Sequence, residues 1–223
     1  MRGIWKTALL PAALGLLAAV PAPAGEGRIV YAEGTVIVES TGNTQPADIG
    51  TSVAAGDVVE TGPRATAVIE LDRGADLKLR EDSRTRIGDE GSDADAELER
   101  GGLFVRVRRS MRGGFSANTE TVVAGVRGTE FFLAFGRTVE QRPDVWLCVN
   151  EGEVQVEVPE HGEAETVRAG EGINILDGVQ LTDARPYDWT RKLNWNMDSD
   201  RGEVSDDTDL DEAYADLLDQ DYD

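Results

Sequence analysis

The chain has 223 residues, 40% of them hydrophobic, and its 22 basic and 43 acidic side chains give a formal net charge of −21. That length builds one good-sized core with appendages. The charge excludes nucleic acid and anionic membrane surfaces as partners, because neutralising phosphate takes clustered Lys and Arg.

Residues 1–24 read as a secretory signal: Arg2 and Lys6, an apolar run from Ala8 to Val20, then Ala22-Pro23-Ala24 as a small-residue cleavage site. The run of 13 residues is short of the roughly 20 needed to span a bilayer, and no cysteine follows it to take a lipid anchor. The expected mature chain begins at Gly25, carries a charge of −23, is not membrane-spanning after cleavage, and is periplasmic or secreted.

Residues 25–182 read as an all-β domain of many short strands separated by turn residues. Arg28 to Tyr31 and Thr35 to Glu39 are joined at Glu33-Gly34, and Gly42 to Pro46 is a polar loop. Asp57 to Thr61, Ala65 to Leu71 and Asp76 to Arg80 continue the meander through turns at Gly62-Pro63 and Arg73-Gly74. Ala67, Ile69 and Leu71 share one face with Glu70 opposite, the pattern of a half-buried strand. Residues 88–102 are an acidic loop. After it Leu103, Val105 and Val107 alternate with Arg106 and Arg108, which with Arg109 and Arg112 form a basic cluster.

The run from Thr119 to Phe135, TETVVAGVRGTEFFLAF, organises the rest. Gly125, Val126, Arg127 and Gly128 interrupt two β-rich pieces, which marks a corner. Phe131, Leu133 and Phe135 fall on one face with Phe132 and Ala134 opposite, so the strand through Thr129 and Glu130 is expected to be central and covered on both sides. Arg127 in that setting calls for a partner, with Glu130 the nearest carboxylate. Beyond the corner Val145, Leu147 and Val149 alternate, with Cys148 among them as a buried inert thiol. Val154, Val156 and Val158, then Ile173 and Ile175, repeat the pattern, and His161 in PEHGE lies at a hairpin tip.

The segment AGVRGTEFFL resembles the signature of the FecR domain family, in which a Val-Arg-Gly-Thr corner precedes an alternating strand. Residues 54–87, 151–158 and 167–175 are similar to the family's flanking blocks, so the resemblance covers about residues 27–180. Thr119 and Glu120 stand where many members have Thr-Pro. The resemblance implies a curled or solenoid-like β domain outside the inner membrane that relays receptor occupancy to a sigma-factor regulator. Only about six residues precede the apolar run here, so the expectation is a secreted form without the cytoplasmic anti-sigma part.

Residues 183–197 read as a packed strap or short helix, with Trp189 and Leu193 four apart. Residues 198–223 hold twelve acidic residues and one basic; within them Leu210, Tyr214, Leu217 and Leu218 form an apolar stripe on a helix started at Asp207 or Thr208. The basic cluster reads either as a solvated strand face or as a docking place for an acidic segment such as this tail. Asp198, Asp200 and Glu203 lack the spacing of a calcium loop, and no nucleophile with an oriented base or metal-spaced set is present. The expected function is a non-catalytic envelope interaction module, without cofactor or metal, that contacts an envelope protein through a strand edge. Saccharide binding with Trp146 or Trp189 as stacking platforms is the alternative.

Overall fold

The computed structural model describes residues 26–88, 95–111, 114–138 and 143–219; the expected signal at 1–24 lies outside them. Period-two alternation, bounded by turn glycines, yields β1 (Gly27–Glu33), β2 (Val36–Ser40), β3 (Asn43–Pro46), β4 (Ser52–Val53), β5 (Val58–Thr61) and β6 (Thr66–Leu71). There follow β7 (Ala75–Leu79), β8 (Arg84–Ile87), β9 (Ala96–Val107), β10 (Phe115–Asn118), β11 (Val123–Val126) and β12 (Glu130–Thr138). The last six are β13 (Pro143–Glu151), β14 (Glu153–Val158), β15 (Glu163–Arg168), β16 (Glu171–Leu176), β17 (Gln180–Leu181) and β18 (Arg185–Pro186), ahead of one helix, α1 (Leu210–Asp219).

The strands form two sheets. The front sheet runs β4, β1, β6, β7, β9, β12, β13, β16, with β17 and β18 both on β16. The back sheet runs β3, β2, β5, β8, β9, β10, β11, β14, β15. Ile69, Leu77, Leu133 and Leu147 from the front and Val38, Leu98, Ala124 and Val156 from the back belong to one buried cluster, so the inner faces pack on each other. The all-β expectation holds, but a solenoid does not: among the described residues every ladder is antiparallel except β9–β10, whereas a coil of repeats stacks its strands in parallel.

β9 belongs to both sheets. Ala96 to Arg100 pair with β8 at the back, and Gly101 to Arg106 pair with β12 at the front. The passage between them turns on Gly101, whose φ is +87° and where a Cβ would lie 2.6 Å from Ser83 Cα. The first half of β9 overturns the reading of 88–102 as loop; of that stretch, 89–94 lie outside the described residues. Ala96 and Leu98 alternate with Glu97 and Glu99 there, and the acidic composition hid the strand. Asn43 to Pro46 is likewise a strand, paired with β2. β1 and β2 do not pair with each other, because the chain changes sheet at Gly34 (φ +73°).

β6 is not half-buried. Ala67, Ile69 and Leu71 face the inner core, while Val68, on the other side, is 1% exposed in a second apolar cluster. That cluster coats the outer face of the front sheet with Phe104, Phe132, Trp146 and Cys148, closed over by Tyr187, Trp189, Leu193, Met197, Val204, Ala213 and Tyr214. The segment from Tyr187 to Tyr214 is therefore a strap laid across the front sheet.

Replacing Gly101 by Ala should cost about 2–4 kcal/mol, from a side chain forced into the left-handed region and against Ser83. Urea unfolding would show it as a lower midpoint at constant slope; an unchanged midpoint would mean that the sheet crossing tolerates a side chain.

Candidate functional site: a strap latched on the front sheet

The corner lies one step later than its glycines suggest. β11 continues through Gly125 and Val126, and the turn is Arg127, Gly128 (φ +66°) and Thr129, whose hydroxyl donates to the Glu153 carbonyl at 3.0 Å. Beyond it β12 is central, between β9 and β13. Phe131, Leu133 and Phe135 lie in the inner core and Phe132 in the outer cluster, so both faces are covered as the alternation implies.

Arg127 is not tied into that setting. It is exposed, because the turn carries it out of the sheet, and no ion pair joins it to Glu130. Glu130 is 8% exposed and takes Arg106 instead, at 2.7 Å, along with the Asn150 amide. The two residues occupy facing positions on β12 and β9, a cross-strand relation that sequence proximity conceals. Arg108 pairs with Glu70 at 2.9 Å and Asp76 at 2.8 Å, which holds the Glu70 carboxyl below its ordinary range. Arg109 is exposed, with its side chain against Gly128. Arg112 lies outside the described residues.

The acidic tail does dock on cations, but mostly not on the predicted cluster. Its principal anchors are Lys78 on β7 and Arg80 just beyond it. Lys78 is fully buried; its ammonium donates to the carbonyls of Asn194, Asn196 (3.0 Å) and Val204 (3.0 Å), and lies 4.2 Å from the Phe104 ring centre. Arg80 Nη2 donates to the carbonyls of Asp206 (3.0 Å) and Thr208 (2.8 Å), and its Nε sits 3.2 Å from Asp206 Oδ1 in a buried ion pair. Among the described members of the expected cluster, Arg106 contributes a contact to the strap, to the Trp195 carbonyl at 2.8 Å. Three cations thus hold six main-chain carbonyls. No local signal marks Lys78: in ADLKLRED it alternates, with Asp76 and Arg80, against Ala75, Leu77 and Leu79, the pattern of a strand with one face in water.

Side chains of the strap brace its own turns. The Asn194 amide donates to the Glu203 and Ser205 carbonyls, both at 2.9 Å, and the Asn196 amide to those of Asp198, Gly202 and Glu203. Ser205 Oγ donates to Glu33 Oε2 at 2.7 Å; with Tyr31, that bond holds the Glu33 carboxyl below its ordinary range. The Tyr187 hydroxyl donates to the Ala213 carbonyl, and the Tyr214 hydroxyl to Asp144. α1 begins at Leu210 under an Asp209 cap that accepts from the Asp211 and Glu212 amides, so the cap lies one residue after Thr208 and two after Asp207. Leu210 is partly buried against the outer cluster and Tyr214 is buried in it; the side chains of Leu217 and Leu218 lie outside the description.

Trp146 and Trp189 are 2% and 6% exposed, so neither is a stacking platform for a sugar; Trp146 instead meets Phe132 and Tyr187 edge to face. Cys148 is fully buried beneath the strap, and desolvation pushes its thiol well up. His161 is exposed at the β14–β15 turn. Asp198 caps the turn at Ser199–Arg201 and pairs with Arg201 at 3.1 Å. No helix among the described residues is long and apolar enough to cross a membrane.

The fold and its latched outer face define an all-β module that holds an extended segment by its main chain. Residues 57–155 match the model of the family described as FecR protein, the family that the corner motif resembles. Lys78, Arg80 and Arg106 lie inside the matched residues and the strap beyond them. Two crystal structures of a candidate anti-sigma factor from Parabacteroides distasonis, at 1.65 and 2.50 Å resolution, are similar to the chain at 20% identity and a TM-score of 0.48, over 58% of this chain. The similarity spans 59% of that protein. No curated protein matches the chain.

Burial lowers the Lys78 ammonium from 10.5 to about 8. An unfolded chain keeps this proton up to about pH 10.5 and the folded one releases it above about 8. The unfolded state binds more protons in that window, so the Lys78 contribution makes stability rise with pH there, by at most about 1.4 kcal/mol per pH unit. Lys78→Met should lower stability at neutral pH by about 2–4 kcal/mol, since three buried carbonyls lose their donor. The gap between wild type and variant should then widen by on the order of 2 kcal/mol from pH 7.5 to pH 10. A gap that narrows over that range in urea titrations would refute this account of Lys78.

Proposed function

We propose that the protein is a non-catalytic interaction module of the bacterial envelope, periplasmic or secreted, built on a FecR domain with a C-terminal strap docked in cis. The observation that carries the reading is the latch itself: Lys78, Arg80 and Arg106 grip an extended segment by six carbonyls. A surface specialised for an extended chain suits protein recognition. The buried thiol of Cys148 and the isolated position of His161 do not assemble a nucleophile and base.

Contact through a strand edge is less favourable than the sequence suggests. β15 places Glu163 and Glu165 opposite Val158 and Val156, on the core-facing side, and β3 ends on Pro46. Inward charges and an edge proline are devices that discourage pairing by a foreign strand.

The mature N-terminus should be Gly25 in protein recovered from the periplasm or medium of the native host, read by intact mass. Cytoplasmic protein that retains residues 1–24 would overturn the localisation. From an envelope extract, residues 25–223 should capture a protein at near-equimolar ratio, and the absence of any such capture at micromolar bait would overturn the module reading.

A further inference from the structure

A cleft of about 600 Å³ opens where the strap passes into α1, between Asp207 to Asp211 above and the Gly101-Gly102 bend of β9 below. Its apolar walls include Phe135, Leu210 and Tyr214, and a third glycine, Gly136, lies on its β12 side, so main chain is within reach along much of the floor. Six of the lining residues carry carboxylates and two are arginines.

Both arginines are already engaged. Arg80 holds the strap and pairs with Asp206, and Arg100 pairs with Glu60 at 2.5 Å, its Nε donating to the Asp82 carbonyl at 3.4 Å. Several carboxylates are engaged too: Glu81 accepts the Arg64 amide, Asp209 caps α1 and Asp144 receives the Tyr214 hydroxyl. The side chains of Asp82 and Asp207 are exposed at the cleft and make no hydrogen bond or close ion pair among the described residues, Asp207 acting on Arg80 only through its longer-range field. The cleft therefore has a negative potential that its own cations do not offset.

A second, independent feature concerns a donor. Trp146 lines the same cleft, is 2% exposed, and its indole N–H has no hydrogen-bond acceptor. A buried donor left without a partner costs about 1–3 kcal/mol, which an acceptor brought by a ligand would relieve. A bare inorganic cation supplies no acceptor, and an anion is repelled by Asp82 and Asp207. A group with a cationic end, an aliphatic stem and a carbonyl a few bonds away fits both requirements, and a lysine or arginine residue within a peptide is such a group.

We propose that this cleft binds a short basic peptide segment of the partner, its ammonium or guanidinium between Asp82 and Asp207 and a main-chain carbonyl on the Trp146 indole. The proposal rests on the interaction-module reading and names the partner's chemistry. It places the partner beside the strap, so binding need not displace the latch.

The test uses the full mature chain with the blocked peptide acetyl-Lys-Gly-Lys-amide, its acidic counterpart acetyl-Glu-Gly-Glu-amide, and spermidine. Calorimetry should show one site for the basic peptide, weakened by salt, and no heat from the acidic one. The indole N–H resonance of Trp146 should move as the basic peptide is added. Asp82→Asn combined with Asp207→Asn should weaken binding roughly tenfold or more at an unchanged urea midpoint, since neither side chain supports the fold. No binding at millimolar peptide, or binding untouched by the double variant, would overturn the site. Spermidine binding as tightly, with the indole resonance still, would overturn the peptide in favour of a free polyamine. If the double variant still captures the envelope protein at full strength, the cleft is not the contact while the module reading stands; if wild type captures none, it is that reading that fails.

Discussion

A lysine ammonium on a side chain with no solvent exposure, lying over the ring of Phe104 on the outer face of β7, dictates how the front of this molecule is built. Buried alone, such a charge is far too costly to persist. It persists because three carbonyls of the strap converge on it and the face of Phe104 lies beneath it. The dependence is mutual: without the strap the ammonium would stand on an apolar sheet face, and without the ammonium three strap carbonyls would be buried with no donor. The strap is thus part of the fold's economy of polar groups as much as of its apolar core.

The two outer faces solve the problem of solvent differently. At the back, Arg84 is bound by Glu39, Glu60 and Glu99, each at 2.7 Å, and Arg86 by Glu99 at 2.6 Å. The hydrogen bond to Glu39, with those to Glu60 and Glu99, raises the Arg84 guanidinium still further above its ordinary value. That face meets water as a charge-balanced lattice and needs no cover. The front presents Val68, Phe104, Phe132 and Trp146 instead, and needs one. Acidic as the protein is overall, many of the arginines among the described residues, Arg80, Arg84, Arg86, Arg106 and Arg108 with them, are taken up by internal pairing, which leaves exposed carboxylates to dominate its surroundings.

The sequence disclosed what depends on local pattern. Period-two alternation placed Phe131, Leu133 and Phe135 inward and Phe132 outward, and the Val-Arg-Gly-Thr corner pointed to the family whose model matches residues 57–155. Relations set by sheet register were not legible. Nothing near Arg106 in sequence announces Glu130 as its partner, and proximity favoured Arg127, which the turn sends into solvent. The first half of β9 was hidden because Glu97 and Glu99 on the outer face resemble the acidic loop before them. Lys78 was not readable either: with Asp76 and Arg80 it forms what looks like the wet face of a half-buried strand, and its burial depends on residues more than a hundred positions later that come to lie over it. The cleft beside α1 draws on five separate stretches of chain and has no sequence signature at all.

The cover of the front sheet is encoded after everything it covers. As the chain is made or threaded across a membrane from its N-terminal end, β7, β9, β12 and β13 emerge and pair while Phe104, Phe132 and Trp146 still face water, and Lys78 still faces its eventual carbonyls empty-handed. For that interval the nascent domain displays a broad aromatic surface of the kind that recruits holding chaperones or other unfinished chains. That surface is covered only when Asn194 to Thr208 arrive, so the front sheet is the last part of the molecule to be closed.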